Sequence, residues 1–245
     1  MTDNAYRVAI VTGASGGIGR AVALRLAGDG CAVVVHYGGH GERAEATAQE
    51  VRDAGGRAVA VGGDVADDAA MSELFDTTVR TFGGVDVVVH TAGTMPLSPI
   101  IDMDLATFDR LMRTNVRGTF VVSRLAARHL RGGGALVTVS SSVTRLQQPG
   151  YGAYAASKAA AEALTLILAR ELAGRDVTVN TVAPGPTATP LFFEGKSTEA
   201  IERIASLSPM GRLGTPEDIA EAVALLAGAG RWINGQVLYV NGGAA

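Results

Sequence analysis

A chain of 245 residues with 24 acids and 21 bases carries a formal net charge of −3 and has no basic stripe or arm, which excludes a nucleic-acid partner. Hydrophobic residues make up 47 %, enough for a sizeable core, but no run of roughly 18 uninterrupted apolar residues offers a membrane span, and Met1–Arg7 lacks the basic-then-apolar pattern of a leader. The single cysteine, Cys31, rules out an intrachain disulfide and reads as a small core residue; a cytoplasmic protein is expected.

Short β-branched runs alternate with longer helical stretches. Arg7–Thr12 reads as a strand before a helix over Gly17–Gly30, and Cys31–Tyr37 as a strand before a helix over Glu42–Ala54. Arg57–Gly62 is a strand; Asp67 caps a helix that Gly83-Gly84 ends; Val85–His90 is a strand. Leu105–Leu130 reads as one long helix or a bent pair, closed by Gly132–Gly134 ahead of a strand over Ala135–Ser140. A helix over Tyr151–Leu172, a strand over Val177–Val182, helices over Thr198–Leu207 and Glu217–Ala227, and a strand over Gln236–Val240 complete the chain. Runs such as Val33-Val34-Val35 and Val87-Val88-Val89 belong to strands buried on both faces. No linker or repeat divides the chain, so the pattern predicts one doubly wound α/β domain over residues 1–245: a parallel sheet flanked by helices on both faces, with ligands beyond the carboxyl ends of its strands.

The first strand runs into Thr12-Gly13-Ala14-Ser15-Gly16-Gly17-Ile18-Gly19 and a helix follows. Glycines there permit a tight turn and close approach of backbone amides to a pyrophosphate, whose charge the helix N-terminus favours. The spacing is G-x-x-x-G-x-G rather than G-x-G-x-x-G, and its place after the first strand points to a dinucleotide. NAD binders usually carry an acid at the end of the second strand, but none occurs from Cys31 to Gly41. His36, Tyr37, His40 and Arg43 occupy that region instead. Arg43 suits a bidentate pair with a 2′-phosphate, while His36 and His40 read as solvated loop residues. NADP (NADPH) is therefore expected over NAD.

Tyr154 and Lys158 are spaced i, i+4 on a helix and project from one face. A free phenol titrates near ~10, and a neighbouring ammonium is expected to lower that value, making Tyr154 a proton donor to a carbonyl oxygen or an acceptor from an alcohol. Ser140, Ser141 and Ser142 follow a strand at its carboxyl end, where a hydroxyl can position the reacting oxygen; the pattern does not choose among the three. Asn115 lies inside a helix, where its type has low propensity, as a structural amide or as a relay beside Lys158.

Together Thr12–Gly19, Asn115, Ser141, Tyr154, Lys158 and Pro184-Gly185 resemble the short-chain dehydrogenase/reductase family over essentially the whole chain. The resemblance implies a Rossmann-type fold with a dinucleotide-binding half, about residues 1–135, and a catalytic and substrate half, about 136–245. It implies a catalytic tetrad of Asn115, Ser141, Tyr154 and Lys158. Ser141 is chosen by the family's spacing to its tyrosine, and Lys158 also holds the nicotinamide ribose. The turn residues Gly13, Ser15, Gly17, Ile18 and Gly19 would hold the diphosphate, with Tyr37 and Arg43 at the adenosine ribose. Asp64 would contact adenine with Val65 beside it, Ala92 and Gly93 would line the ribose side, and Pro184, Gly185, Thr187 and Thr189 would border the nicotinamide and its phosphates. His90-Thr91 replaces the family's Asn-Asn, so the amides that brace that strand are lost. Within the family the chain is similar to 3-oxoacyl-carrier-protein reductases and more so to the tetrahydroxynaphthalene-reductase-like branch, on Asn180–Leu191, Ser208–Ala220 and Gly230–Val240. That branch implies NADPH and ketone or aromatic polyketide substrates, and the family resemblance implies a homotetramer.

Met95, Leu97, Leu146, Leu191, Phe192 and Phe193 predict a largely apolar pocket for a small-molecule carbonyl, a hydrophobic ketone or quinone, with Leu191–Gly195 as a lid. Tyr151 is a pocket wall or a surface residue, Arg145 a solvated cation or a partner for an anionic carrier, and Trp232 an assembly contact or ordinary core. The four histidines show no metal-ligand spacing. The alternatives are a 3-oxoacyl-thioester reductase, an NAD-dependent alcohol dehydrogenase and, in a different class, a non-catalytic dinucleotide-binding sensor or assembly subunit, which would not require all four tetrad residues.

Overall fold

In chain order the elements are β1 (Val8–Thr12), α1 (Gly17–Gly28), β2 (Ala32–Tyr37), α2 (Gly41–Asp53), β3 (Arg57–Gly62), α3 (Asp68–Phe82), β4 (Val85–His90), α4 (Leu105–Met112), α5 (Gly118–His129), β5 (Leu130–Val139), α6 (Val143–Leu146), α7 (Gly152–Glu171), β6 (Thr178–Pro184), α8 (Pro190–Phe193), α9 (Thr198–Ala205), α10 (Pro216–Ala227) and β7 (Val237–Val240). They are seen in a computed structural model that describes Tyr6–Ala245; Met1–Ala5, on which the leader reading mostly rests, lie outside the described residues.

The strands form one parallel sheet in the order β3-β2-β1-β4-β5-β6-β7. Alternate side chains of the valine-rich strands feed two cores. Ala9, Val11, Val33, Val35, Val87 and Val89 pack with Val22, Leu26, Ala48, Ile219 and Val223, under α1, α2 and α10. Ile10, Val34, Val88, Leu136 and Val179 pack with Leu74, Phe75, Val122 and Leu125, under α3 and α5. Each fully buried side chain of this size contributes about 1.5–3 kcal/mol, so the two-sided sheet carries most of the fold. Asp67 caps α3 by accepting from the amides of Ala69 and Ala70 at 2.9 and 3.1 Å, and Gly83 ends it in the left-handed region, as the sequence anticipated.

Three stretches depart from expectation. The helical stretch from Leu105 is broken by a single π turn over Arg113–Arg117, in which the Gly118 amide donates to the Arg113 carbonyl. Gly132–Gly134 do not precede β5 but lie within it. The register against β4 jumps there from Val85↔Leu130 to Val87↔Ala135, and at Gly134 a Cβ would sit 2.9 Å from the Asp86 carbonyl oxygen, so only glycine passes. The turns α6 and α8 add two short helices where only loops were expected; the Thr189 hydroxyl caps α8 by accepting from the Phe192 amide at 3.2 Å. Trp232 is fully exposed, which removes its reading as core.

Strand order reverses at β1, which has β2 on one side and β4 on the other. The carboxyl ends of β1 and β4 therefore diverge into helices on opposite faces and open a crevice, the ligand position of this architecture.

Candidate active site

The turn from Gly13 to Gly19 lies directly against the segment after β4. Gly13 has φ 70°, and a Cβ there would be 2.8 Å from Ala92 Cα; at Gly19 it would be 2.4 Å from the Gly13 carbonyl oxygen. Above the turn there is room, with nothing within 4 Å of a Cβ built at Gly16. The first turn of α1 has no side-chain cap and no acid, so its amides stay free to meet an anion. Ser15 and Ile18 sit half-buried on this turn, and the Ala14 amide ties it to β2 by donating to the His36 carbonyl at 2.9 Å. A cradle of this shape fits a diphosphate.

At the end of β2 the Tyr37 ring is seated against Gly41 and Gly62, where Cβ atoms would approach it to 3.2 and 2.9 Å. Arg43 is exposed in the first turn of α2, and its guanidinium has no partner among the described residues. His36 is not the solvated loop residue expected. It is buried within β2, hydrogen-bonds the Gly63 carbonyl oxygen through Nε2 at 3.0 Å, and burial lowers its pKa to about 4. Asp64 accepts from the Ala66 amide at 2.9 Å and pairs with Arg113, and buried Val65 packs on Gly118.

Farther along the crevice, Ser141, Tyr154, Lys158, Gly93, Ile18, Pro184, Gly185, Thr187 and Thr189 line one cavity. Asn115 stands behind it. The π turn places its carboxamide to accept from the Thr94 amide at 2.9 Å and to donate to the Thr94 carbonyl at 2.9 Å and to Ser157 Oγ at 3.0 Å. Ser157 Oγ in turn donates to the Tyr154 carbonyl at 2.7 Å, which links Asn115 to the helix of Tyr154. Gly93 closes the group: a Cβ there would be 3.3 Å from Asn115 Oδ1 and 3.4 Å from Lys158 Nζ.

The three serines that the sequence pattern left equivalent have different surroundings. Ser140 is buried and donates to Glu162 Oε1 at 2.6 Å; Ser142 is buried and donates to the Ala183 carbonyl at 3.1 Å. Ser141 is half-buried in the cavity wall, and its hydroxyl stands close enough to the Tyr154 phenol to oppose the rise in its pKa. Of the three, Ser141 is the one whose hydroxyl is not given to a backbone or carboxylate acceptor among the described residues.

The expected lowering of the Tyr154 pKa by Lys158 is not found. Burial pushes the phenol up to about 12, against a smaller opposing effect of the Ser141 hydrogen bond. Burial likewise brings Lys158 down to about 8. Its Nζ is 5.8 Å from the Tyr154 ring centroid and donates to the Val139 carbonyl at 2.8 Å, with no hydrogen bond to the phenol oxygen. The site therefore holds a neutral phenol at neutral pH.

Nor is the strand brace lost at His90-Thr91. His90 Nδ1 lies 2.8 Å from Thr12 Oγ1, and the Thr91 hydroxyl donates to the Thr12 carbonyl at 2.5 Å, so β4 is fastened to β1 by different groups. Burial keeps His90 neutral, lowering its pKa to about 3.

The substrate side is apolar. Met95, Val143, Leu146, Leu191, Phe192, Ile204 and Leu207 face the cavity, together with the hydroxyl-bearing Tyr151. Leu97 and Phe193, expected here, do not line it, although Phe193 meets Phe192 edge to face at 5.5 Å. Ile204 and Leu207 were missed because they come from α9 and the turn after it, remote in sequence. Arg145 stacks on the Tyr239 ring at 3.7 Å rather than projecting free.

A family model described as enoyl-(acyl carrier protein) reductase matches residues 13–245. A short-chain type dehydrogenase/reductase of Picea abies is 44 % identical over 97 % of this chain and 92 % of its own. The chain belongs to the short-chain dehydrogenase/reductase family. As a member it is an NAD(P)-dependent oxidoreductase. A protein of Arabidopsis thaliana named an NADPH-dependent aldehyde reductase-like protein, chloroplastic, is 44 % identical over 98 % of this chain and 94 % of its own. Among solved structures, a short-chain dehydrogenase of Burkholderia cenocepacia in complex with NADP superposes with a TM-score of 0.92, at 39 % identity and 97 % coverage of both chains. No helix among the described residues is long and apolar enough to cross a membrane.

Proposed function

We propose that this short-chain dehydrogenase/reductase is an NADPH-dependent reductase of hydrophobic carbonyl compounds, ketones or quinones, with Tyr154 as general acid. The observation that carries this is a buried phenol standing beside the Ser141 hydroxyl in the wall of an apolar cavity. A proton-holding acid suits reduction, in which the carbonyl oxygen must gain a proton. Support for NADPH comes from the NADP-bound structural relative, the Arabidopsis relative's name, the acid-free end of β2 and unpaired Arg43.

The residues divide the work as follows. Gly13, Ser15, Gly17, Ile18 and Gly19 hold the diphosphate, Tyr37 and Arg43 the 2′-phosphorylated ribose, and Asp64 and Val65 the adenine. Ala92, Gly93, Lys158, Pro184, Gly185, Thr187 and Thr189 surround the nicotinamide end. Bound NADPH supplies the hydride. Ser141 orients the carbonyl oxygen and Tyr154 donates its proton there. The Lys158 ammonium offsets the phenolate charge that this leaves. Asn115 fixes Thr94 and Ser157, and so the seat of Tyr154. We read the assembly as a homotetramer, because Phe120 on α5, Ile167 on α7 and Trp232 all stand exposed; the single buried cysteine suits the cytoplasm.

The test is titration of the purified protein with NADPH and NADH by nicotinamide fluorescence, followed by a panel of ketones, quinones and aldehydes in the same cuvette. Tighter NADPH binding and turnover of apolar carbonyls are expected. Preference for NADH would overturn the cofactor assignment. Preference for small charged keto acids would overturn the substrate class, and binding without any turnover would favour a sensor.

A further inference from the structure

Glu162 lies on α7, one turn beyond Lys158, and its carboxylate is met by hydroxyls rather than by a cation among the described residues. Its Oε1 accepts from Ser140 Oγ at 2.6 Å and from Thr144 Oγ1 at 3.0 Å. Those two residues bracket Ser141, one immediately before it and one three residues after. Each hydroxyl has a single proton and a competing acceptor. Ser140 Oγ is 3.3 Å from the Lys158 carbonyl, and Thr144 Oγ1 is 3.0 Å from the Ser141 carbonyl. A carboxylate is the stronger acceptor and takes both protons. Thr144 Oγ1 is then left to accept from the Tyr239 hydroxyl, 3.4 Å away on β7.

We propose that Glu162 is a positioning residue for the reaction: by fixing the hydroxyls of Ser140 and Thr144 it sets where the Ser141 hydroxyl stands against Tyr154. The inference rests on the reductase reading above. Ser141 itself has little else to hold it. Its Oγ accepts only a long bond from the Val143 amide, 3.3 Å, and it sits on the short junction between β5 and α6. The neighbours on either side are anchored where Ser141 is not: Ser140 through its amide to the Val182 carbonyl, Ser142 through its amide to the Pro184 carbonyl and through Oγ to Asn241 Nδ2 at 3.2 Å. What those backbone bonds leave adjustable is the tilt of the junction, and Glu162 clamps that tilt from both sides. Without the carboxylate the two hydroxyls fall back on the Lys158 and Ser141 carbonyls, and the Thr144 side of the junction loses its hold on α7.

Two substitutions separate this role from general support of the fold. Glu162→Gln keeps an Oε1 acceptor for both hydroxyls; Glu162→Leu keeps the bulk and removes the acceptor. With a saturating ketone, Glu162→Leu is expected to lower kcat roughly ten- to a hundredfold, the effect of a misplacement of ~1 Å at a reacting centre. NADPH affinity by fluorescence should stay within about threefold, and Glu162→Gln should stay within about threefold of wild type in kcat, since the hydroxyl contacts survive. In a Ser141→Ala background, Glu162→Leu should cost nothing further, because the group it positions is gone. An additive loss in that background, or an unchanged kcat in Glu162→Leu, overturns the proposal. If wild-type protein reduces no carbonyl, the reductase reading fails by itself, and crystals of Glu162→Leu decide the positioning role: Ser141 Oγ displaced from Tyr154 supports it, and an unmoved Ser141 overturns it.

Discussion

At the phosphate turn the constraints are steric and belong to the backbone, whereas across the crevice at Ser141 they are hydrogen bonds between side chains. Gly13 and Gly19 matter for what they lack, since a Cβ at either would strike backbone atoms. Ser141, Tyr154, Lys158 and Asn115 matter for the atoms they carry and for the partners that hold them. The contrast teaches that damage should differ in kind. Changes at the turn should reach stability and cofactor affinity, and changes at Ser141 and Tyr154 should reach chemistry with the cofactor still bound.

The largest effect should be on the chemical side. Tyr154→Phe removes the proposed proton donor and keeps the ring, so kcat should fall by about 10³, within the usual range for a general acid, with NADPH affinity within about threefold. Steady-state kinetics and fluorescence titration check this; an equal loss of affinity would erase the contrast. Next comes the turn. Gly19→Ala forces a methyl to 2.4 Å from the Gly13 carbonyl oxygen and should destabilise by about 3 kcal/mol in urea unfolding, whereas Gly16→Ala meets open space and should change stability by less than about 0.5 kcal/mol. Similar values for the two would mean that the turn is free to relax. Arg43→Ala should weaken NADPH about tenfold or more and leave NADH nearly unchanged, the usual size of a lost charge-assisted contact; equal losses for both would remove Arg43 from the phosphate.

The smallest effect concerns pH. Burial holds Lys158 near 8 in the folded protein, below the roughly 10.4 of an unfolded lysine. Below pH 8 both states carry the proton and the desolvation cost is fully present. Between pH 8 and about 10.4 the unfolded state binds more protons, so this group makes stability rise with pH. Against Lys158→Met, wild type should therefore gain on the order of 1 kcal/mol from pH 8 to pH 9 in urea unfolding. The raised pKa of Tyr154 acts with opposite sign above about pH 10 and is common to both proteins. A flat difference would show that Lys158 is better solvated than its surroundings imply.

The same contrast governs what could be read before any coordinates. Strands of near-continuous valine, the helix cap at Asp67 and the glycine turn are local statements, and all three are found where the sequence put them. Asn115, Ser141, Tyr154 and Lys158 were legible as residue types at given spacings, and the fold does bring them together. The wiring between them was not legible. Nothing local says that Ser140 meets Glu162 on α7, that Lys158 reaches the Val139 carbonyl, or that His36 turns inward while Arg43 stays out. The proton affinity of Tyr154 follows the same division: the i, i+4 spacing shows a charged neighbour, but burial, a property of the whole fold, sets the direction of the shift.

The wide turn at Arg113–Arg117 makes its helical stretch one residue richer than regular winding over the same rise. Deleting a single codon other than that of Asn115 between Met112 and Gly118 would let the turn relax to regular winding and keep the apolar face of α5 on the sheet, yet it would remove the bulge that aims the Asn115 carboxamide at Thr94. The asparagine's place is thus written in the count of residues as much as in their kind, and a length variant with every site residue intact should be the quietest way to inactivate this enzyme.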